Sequence, residues 1–271
     1  MKTKINLILL VVALFMNSYF LMAQTSQESL YFIIETMKAT AGRSAEYVKA
    51  EKDVWKIIHQ ERLKQGLIRS WYFYEVLSPS GSTATYDYVT VTVIQGWKKV
   101  ENPWGNILTG GAAKLLSKEQ LDVFNETLKL RNLLNRSVFM RADFVSAAPN
   151  SSPTKYQIVN YMKVKHGMWE EYYAMETQLV KPMHIEMMQG GGKAAWGLYS
   201  RVMPGGDSQP FDYITVDFFN KWEDIASEGA DFTKTLEKVH PHMSTEYYIK
   251  RIEESRHLMN RELWMLQDYV R

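Results

Sequence analysis

One long stretch of this 271-residue chain is written twice. Residues 37–97 read MKATAGRSAEYVKAEKDVWKIIHQERLKQGLIRSWYFYEVLSPSGSTATYDYVTVTVIQGW, and a second version of the same stretch begins at Met162. Identical residues recur at a constant offset of 125 when residues 31–145 are aligned with 156–270, and 28 of the 115 aligned positions are identical without a gap. Self-similarity at a fixed spacing is the signature of a repeated structural unit. The sequence therefore predicts two tandem domains of one fold.

Each copy carries the hydrophobic periodicity of alternating strands and helices. For the first copy we predict strands at Tyr31–Lys38, Trp71–Val76, Tyr86–Ile94 and Val138–Val145, and helices at Ser44–Gln65 and Ser117–Asn135. Ser44 and Ser117 are the expected N-caps, and Gln120 completes a capping box with Ser117. Along the third strand Val89, Val91 and Val93 alternate with polar residues, so this strand has one apolar and one polar face.

The predicted element order of each copy is β-α-β-β-α-β, the split βαβ pattern of ferredoxin-like folds. Two helices cover one face of such a sheet, and the other face needs a partner. We therefore predict an α+β protein in which the two sheets pack together as a pseudo-dimer within one chain. The expected boundaries are a first repeat at 24–146, a linker at 147–155 and a second repeat at 156–271, whose last strand is Leu263–Val270.

The repeated motifs resemble those of a known superfamily. In the second copy they are Tyr156, Met162-Lys163-Val164-Lys165-His166-Gly167, Glu171-Tyr172, Pro182, Gly191, Trp196, Asp212-Tyr213 and Trp222. This pattern resembles the dimeric α+β-barrel superfamily, in particular its NIPSNAP- and EthD-like branches. The first copy departs from it, because Ile57 replaces Pro182 and Ala39-Thr40-Ala41 precedes its glycine. The resemblance implies an α+β barrel, but the superfamily includes cofactor-free monooxygenases, haem enzymes, isomerases and proteins of unknown role, so it implies no single activity.

The N-terminus predicts export. A basic head at residues 1–4, an apolar run from Ile5 to Met16 and a small residue at Ala23 are typical of a signal peptide covering residues 1–23. An uncleaved anchor helix is the alternative interpretation. The absence of cysteine excludes a lipid-anchored lipoprotein and any disulfide. We expect a secreted or periplasmic, soluble monomer with no membrane segment after cleavage.

The charge balance argues against nucleic acid as a partner. The whole chain has 32 basic and 30 acidic residues, and removal of residues 1–23 takes away Lys2 and Lys4. A phosphate-binding surface requires a basic excess, which the mature chain lacks.

Two repeated His-x-Glu pairs, His59-x-Glu61 and His184-x-Glu186, are the most suggestive chemical motifs. Residues two apart on a helix point about 200° from each other, so neither pair chelates one ion by itself, and we predict no metal and no cofactor. Each histidine is either a hydrogen-bonded structural residue or a pocket residue that serves as a general base or binds a polar ligand group.

Other repeated residues are candidates for a ligand pocket or for the core. The candidate ligand-binding residues are Tyr88, Thr90 and Trp71 in the first copy and Tyr213, Thr215 and Trp196 in the second. The tyrosines and threonines lie on the polar strand face, and the tryptophans are suited either to stacking on a ligand or to core packing. Arg131 and Asn135 are expected to share a helix face, and we favour an ion pair of Arg131 and Arg256 with Asp143 or Asp268 over a carboxylate-binding role.

These features support three functional hypotheses. The leading one is an exported soluble protein that binds a small, partly apolar molecule in one pocket of each half. The alternatives are a cofactor-independent oxygenase or isomerase with a histidine base, and a structural or interaction protein without a ligand. Pro182 predicts that the second copy's helix kinks or ends near Lys181, and Gly190-Gly191-Gly192 allows close backbone approach to a ligand. If one half is functional, we therefore expect it to be the second, with His184, Glu186 and Tyr213.

Overall fold

A computed structural model of the chain describes residues 28–81, 84–148, 152–226 and 232–271. The strands are β1 Leu30–Ala39, β2 Ser70–Ser78, β3 Tyr88–Gln95, β4 Arg131–Ser146, β5 Tyr156–Val164, β6 Ala195–Met203, β7 Tyr213–Phe219 and β8 Arg256–Val270. The helices are α1 Ser44–Ala50, α2 Lys56–Lys64, α3 Lys98–Glu101, α4 Ala112–Leu115, α5 Lys118–Leu130, α6 Trp169–Ala174, α7 Lys181–Gln189, α8 Trp222–Ala226, α9 Phe232–Val239 and α10 Thr245–Ser255. The signal peptide expected at residues 1–23 lies outside the described residues.

The eight strands form one closed antiparallel barrel in the order β1-β3-β2-β8-β5-β7-β6-β4. Residues 28–148 supply β1–β4, residues 152–271 supply β5–β8, and the two halves are joined by the β2–β8 and β4–β6 pairs. Equivalent strands pair in equivalent register, since Met37 faces Tyr88 and Met162 faces Tyr213. The halves thus meet through the hydrogen-bonding edges of their sheets, and closure leaves no strand edge unpaired.

Alternate residues of each strand belong to two separate apolar layers. The inward side chains of both halves share one core inside the barrel, formed by Tyr74, Val76, Val89, Val91, Val93, Phe139, Val159, Tyr161, Tyr199, Ile214, Val216 and Trp264. The outward side chains pack under the helices, separately in each half, around Trp71 in the first half and Trp196 in the second. The sequence predicted this alternation, and the barrel gives each face its environment.

The long helix after the first strand of each half contains a wider, π-helical turn. It covers Glu51–Trp55 between α1 and α2, and Met175–Val180 between α6 and α7. Lys181 keeps right-handed helical angles, and α7 continues through Pro182. Of the predicted kink or end near Lys181, the end is therefore wrong, and the kink stays a prediction. Because the first half has the same π-helical turn without a proline, Pro182 is not its cause.

One of the two predicted helix N-caps is present in the structure. Ser117 and Gln120 form the expected capping box at the start of α5. Ser44 does not cap α1: the residue before the helix is Arg43, and the Ser44 hydroxyl lies 2.6 Å from the hydroxyl of Tyr88. The N-cap prediction for Ser44 is wrong because the side chain joins helix to sheet.

The last strand of each half begins earlier than the sequence predicted, and in the first half the last helix ends earlier. Helix α5 ends at Leu130, and β4 begins at Arg131, so Arg131 and Asn135 lie on a strand and do not share a helix face. Strand β8 likewise begins at Arg256 and not at Leu263. The first residues of both strands are exposed on both faces, so they lack the alternation that marks a half-buried strand.

The predicted ion pairs of Arg131 and Arg256 with Asp143 and Asp268 are also absent from the described structure. Instead Lys56 Nζ lies 2.7 Å from Asp268 Oδ1, and Lys181 Nζ lies 2.8 Å from Asp143 Oδ1. Each lysine stands on a helix of one half and each aspartate on the last strand of the other. The two half-buried pairs therefore connect the halves reciprocally.

Among the residues that the structure describes, no helix has the length and apolar character needed to cross a bilayer.

Candidate functional site

The largest described cavity lies inside the barrel and has a volume of about 760 Å³. It opens at the end where β1, β2, β5 and β6 begin and where the other four strands end. Its inner wall is apolar and aromatic and comes from both halves: Phe32, Ile34, Tyr72, Tyr74, Val91, Val93, Tyr199, Ile214, Val216, Phe218 and Trp264. The cavity is thus shared by the two sheets, whereas the sequence analysis expected one pocket in each half.

The open end of this cavity, which we call the mouth, is basic. Arg69, Lys99, Arg141 and Arg271 are among its lining residues, and the described lining contains no aspartate or glutamate. Arg69 donates to the side-chain oxygen of Gln95 at 3.0 Å, and Lys99 donates to the carbonyl of Gly66 at 3.0 Å. The mouth therefore presents positive charge beside an apolar interior.

Arg141 and Tyr199 are neighbours on the paired strands β4 and β6. Arg141 is half-buried, and its guanidinium carbon lies 5.6 Å from the centre of the Phe144 ring. Tyr199 is buried and packs edge-on against Phe32 at a ring distance of 4.7 Å. Burial raises the pKa of Tyr199, and the charge of Arg141 opposes this shift. The phenol is therefore a neutral donor at physiological pH.

A buried carboxylate, Glu262, lies toward the opposite end of the barrel. Glu262 accepts hydrogen bonds from the hydroxyls of Tyr86 and Tyr161 at 2.6 and 2.9 Å. It also accepts from the indole of Trp264 at 2.8 Å and from the amide of Asn260 at 3.0 Å. Trp264 also lines the large cavity, so its indole separates the inner end of that cavity from Glu262, which lines another cavity of about 330 Å³.

The candidates from the first half lie in the outer layer, outside the cavity. His59 is buried, its ring stacks on Trp71 at 4.3 Å, and its Nδ1 accepts from Arg62 at 2.8 Å. Glu61 points away from this cluster and accepts from Gln65. Tyr88 packs among these outer core residues, and the hydroxyl of Thr90 donates to Glu35 at 3.3 Å. Neither His59 nor Tyr88 lines any of the described cavities.

The second-half candidates occupy the equivalent outer layer. His184 stacks on Trp196 at 5.3 Å, and its Nδ1 lies 2.9 Å from the ammonium of Lys193, which also bonds to Asp217 at 2.7 Å. Glu186 pairs with Lys238 on α9.

Tyr213 and Thr215 also lie outside the cavity. Tyr213 packs against the ring of Tyr172 at 4.9 Å, and the Thr215 hydroxyl accepts from Asn160 at 3.2 Å. The polar strand face therefore lies under the helices, and the apolar face lines the cavity, which reverses the predicted assignment of the pocket.

The two imidazoles are poorly suited to general-base chemistry. Burial, followed by the charge of Arg62, holds the pKa of His59 well below its usual range. Burial, followed by the charge of Lys193, lowers the pKa of His184 to about 3. An efficient base has a pKa near the working pH, so neither histidine meets this requirement. In the part of the chain that the structure describes, no group of three His, Cys, Asp or Glu side chains is placed to hold a metal.

Two buried glutamates were not singled out as site residues by the sequence analysis. Glu51 and Glu176 are equivalent residues that begin or lie within the π-helical turns, and both are almost fully buried. Burial raises the pKa of each to about 7, and the neighbouring Arg131 or Arg256 opposes the shift. Their recurrence at the offset of 125 was the available sequence signal.

The cavity residues were missed for a different reason. Identity between the copies does not separate the two layers, because Trp71 and Trp196 lie in the outer layer whereas Tyr74 and Tyr199 line the cavity. Arg141 has Leu266 as its counterpart at the offset of 125, so identity between the copies gives no signal there.

Comparison with known proteins shows the fold. No family model matches the sequence, and no curated protein does. A monooxygenase-like protein from Fusobacterium nucleatum superposes with a TM-score of 0.55 and 8% identity, over 90% of this chain and 95% of that one. An anthrone oxidase-like protein superposes with a TM-score of 0.51 and 9% identity, over 90% of this chain and 94% of that one. A mutant chlorite dismutase from Candidatus Nitrospira defluvii superposes with a TM-score of 0.51 and 12% identity, over 88% of this chain and 91% of that one. The chain therefore has the fold of the ferredoxin-like α+β barrel proteins.

Proposed function

We propose that this protein binds one small, partly apolar molecule inside the barrel. The observation that supports the proposal is the cavity of about 760 Å³, walled by apolar and aromatic side chains of both halves and open at one end. Its size and lining are those of small-molecule sites, which combine an apolar wall with a few polar groups. A single site shared by both halves replaces the two pockets expected from the repeat.

The enzyme alternative receives less support from the geometry. Two of the similar structures are named as monooxygenase-like and anthrone oxidase-like. A cofactor-independent reaction of this type would require a base at the substrate, but His59 and His184 are buried in the outer layer with low pKa values. The described cavity lining also offers no histidine, cysteine, methionine or carboxylate to a haem iron, and tyrosine is the only residue type in it that ligates such an iron. Binding is therefore the function that we propose.

We also propose that the chain is a tandem, NIPSNAP/EthD-like duplication, with repeats at 24–146 and 156–271, that is exported after cleavage near Gln24. The gap-free repeat and the matched registers of β1–β3 and β5–β7 support the duplication. The basic and apolar leader supports export. Mass spectrometry of the exported protein should find a chain that begins near Gln24, and an intact Met1 in a membrane fraction would contradict cleavage.

Calorimetric titration with neutral apolar probes tests the binding function. We expect 1-decanol or 2-naphthol to bind with a stoichiometry of one per chain. Val93→Phe and Ala195→Phe place a larger side chain in the cavity and should each abolish binding, whereas Leu128→Phe on the exposed face of α5 should leave it unchanged. Absence of binding by the wild-type protein, or binding that survives both cavity substitutions, would overturn the proposal. A search for altered products in the same samples would reveal turnover.

A further inference from the structure

The charge distribution along the barrel axis is strongly uneven. The mouth carries four cationic side chains and no described carboxylate, and the opposite end holds the buried Glu262. Glu262 receives its hydrogen bonds from neutral donors of Tyr86, Tyr161, Trp264 and Asn260. A negative group of a bound molecule is therefore attracted to the mouth and repelled from the inner end.

We propose that the ligand is a carboxylate with an apolar tail, whose carboxylate is held at the mouth by Arg141 and Tyr199. This inference rests on the proposed binding function and specifies its ligand class. The tail, an alkyl chain or an aromatic ring system, extends along the apolar wall toward Trp264.

The two anchoring residues have donors available for an anion. Within the described ranges, Arg141 has no ion-pair partner and its contact is with the Phe144 ring, and the Tyr199 hydroxyl makes no hydrogen bond. A guanidinium donates two parallel hydrogen bonds to a carboxylate, and charge-assisted bonds of this kind are about twice as strong as neutral ones. Arg141 and Tyr199 therefore form a preformed anion site beside an apolar wall.

Gly197 leaves the space that the Tyr199 ring occupies. A Cβ atom at residue 197 would lie 2.7 Å from the Tyr199 hydroxyl oxygen and 2.8 Å from the ring. The ring thus lies directly on the glycine backbone, with Phe32 packed edge-on against it. Restricting the phenol before binding reduces the entropy lost when the ligand is bound.

The two halves differ at this mouth although they share a fold. The counterpart of Arg141 is Leu266, which has no charge. The counterpart of Tyr199 is Tyr74, and its hydroxyl already accepts from the amide of Gln157 at 2.6 Å. The anion site therefore exists once, and the barrel binds one ligand in one orientation.

Titrations with decanoate, 1-decanol and decylamine test the ligand class on the full chain. We expect decanoate to bind about 10- to 100-fold more tightly than 1-decanol, which is the range for hydrogen bonds to a charged group, and decylamine to bind most weakly. Arg141→Gln should abolish the preference for decanoate over 1-decanol, so that the two probes bind this variant with similar affinities. Tyr199→Phe should weaken decanoate binding several-fold, and the control Arg251→Gln on α10, which does not line the cavity, should change nothing. The same titration with 1-naphthoate distinguishes an aromatic tail from an alkyl tail.

The outcomes separate this inference from the function on which it rests. Equal affinities of decanoate and 1-decanol would overturn the anionic ligand and leave the binding function in place. A preference for decanoate that survives Arg141→Gln would overturn the anchor. If neither probe binds, the proposed function itself fails.

Discussion

The two repeated histidines are buried in stacked positions under the helices. The sequence pointed to a functional role for His184 if only one half is functional. The structure predicts similar effects for His184→Ala and His59→Ala, because each imidazole fills space against a tryptophan and accepts a hydrogen bond from a cationic side chain. We expect each substitution to lower the free energy of unfolding by about 2–4 kcal/mol, as for other buried large-to-small changes. Binding of 1-decanol should be unchanged, and its loss in His184→Ala alone would restore the earlier hypothesis.

The buried glutamates predict a pH dependence of stability with a defined sign. The folded-state pKa of Glu176 is about 7, against a usual value of 4.5, so the folded state binds more protons than the unfolded state between these pH values. The contribution of Glu176 to stability is therefore present below pH 4.5 and is lost as pH rises to 7, at up to about 1.4 kcal/mol per pH unit. The buried His184, with its pKa near 3, has the opposite sign and loses stability as pH falls below 6.5.

Comparison of Glu176→Gln with the wild type isolates this contribution. The free energy of unfolding of the variant, relative to that of the wild type, should increase steadily as pH rises from 4.5 to 7. Chemical denaturation at several pH values measures it, with the exposed Glu171→Gln on the same helix as control. A constant difference would mean that Glu176 titrates normally.

At the scale of elements, the strands and helices could be predicted wherever one face is buried. The alternating pattern of β3 correctly predicted a strand, and the capping box of Ser117 correctly predicted the start of a helix. The boundary between α5 and β4 could not be predicted, because residues 132–136 are exposed on both faces and carry no periodicity. The π-helical turns were also missed, since one extra residue in a turn shifts the helix faces without a residue-type signal.

The reciprocal ion pairs predict energetic coupling between the halves. In Lys181–Asp143 both side chains are less than 30% exposed, whereas in the helix-surface pair Lys49–Asp53 both are more than 50% exposed. A double-mutant cycle with Lys181→Met and Asp143→Asn should give a coupling of about 1 kcal/mol, and the cycle for Lys49 and Asp53 should give about 0.3 kcal/mol, because solvent screens the exposed pair. Equal couplings would show that the pairs between halves contribute no more than surface contacts.

At the scale of the whole molecule, the α+β barrel was implied by the resemblance to the superfamily, but the position of its cavity was not predicted. The repeat and the alternation predict two similar sheets, each with one face that must be covered by the other half. The position of the cavity depends on how the sheet edges close, and this depends on long-range pairs such as β2–β8 and β4–β6 that no local pattern encodes. Arg141 became visible as a candidate only when closure placed it at the mouth.

Barrel closure predicts how separated halves behave. Fragment 24–150 alone has the unpaired edges of β2 and β4, so we expect it to dimerise or to precipitate, and a stable monomer would contradict the pseudo-dimer. Fragment 152–271 has a further difficulty as a homodimer. Glu262 accepts from Tyr86 of the other half, and the residue equivalent to Tyr86 in the second half is Phe211, which has no donor. A homodimer of this fragment would leave the buried carboxylate without its shortest hydrogen bond, which is costly at a buried site.

Co-expression of the two fragments should therefore yield a 1:1 complex in preference to either homodimer, because that complex restores both the Tyr86–Glu262 bond and the two lysine–aspartate pairs. Size-exclusion chromatography with light scattering, combined with mass spectrometry of the complex, measures the composition. Glu262→Gln in fragment 152–271 removes the buried charge and should increase its self-association, whereas Glu246→Gln at the exposed start of α10 should not. A random mixture of homodimers and heterodimers, unaffected by Glu262→Gln, would show that the barrel closes without regard to this buried carboxylate.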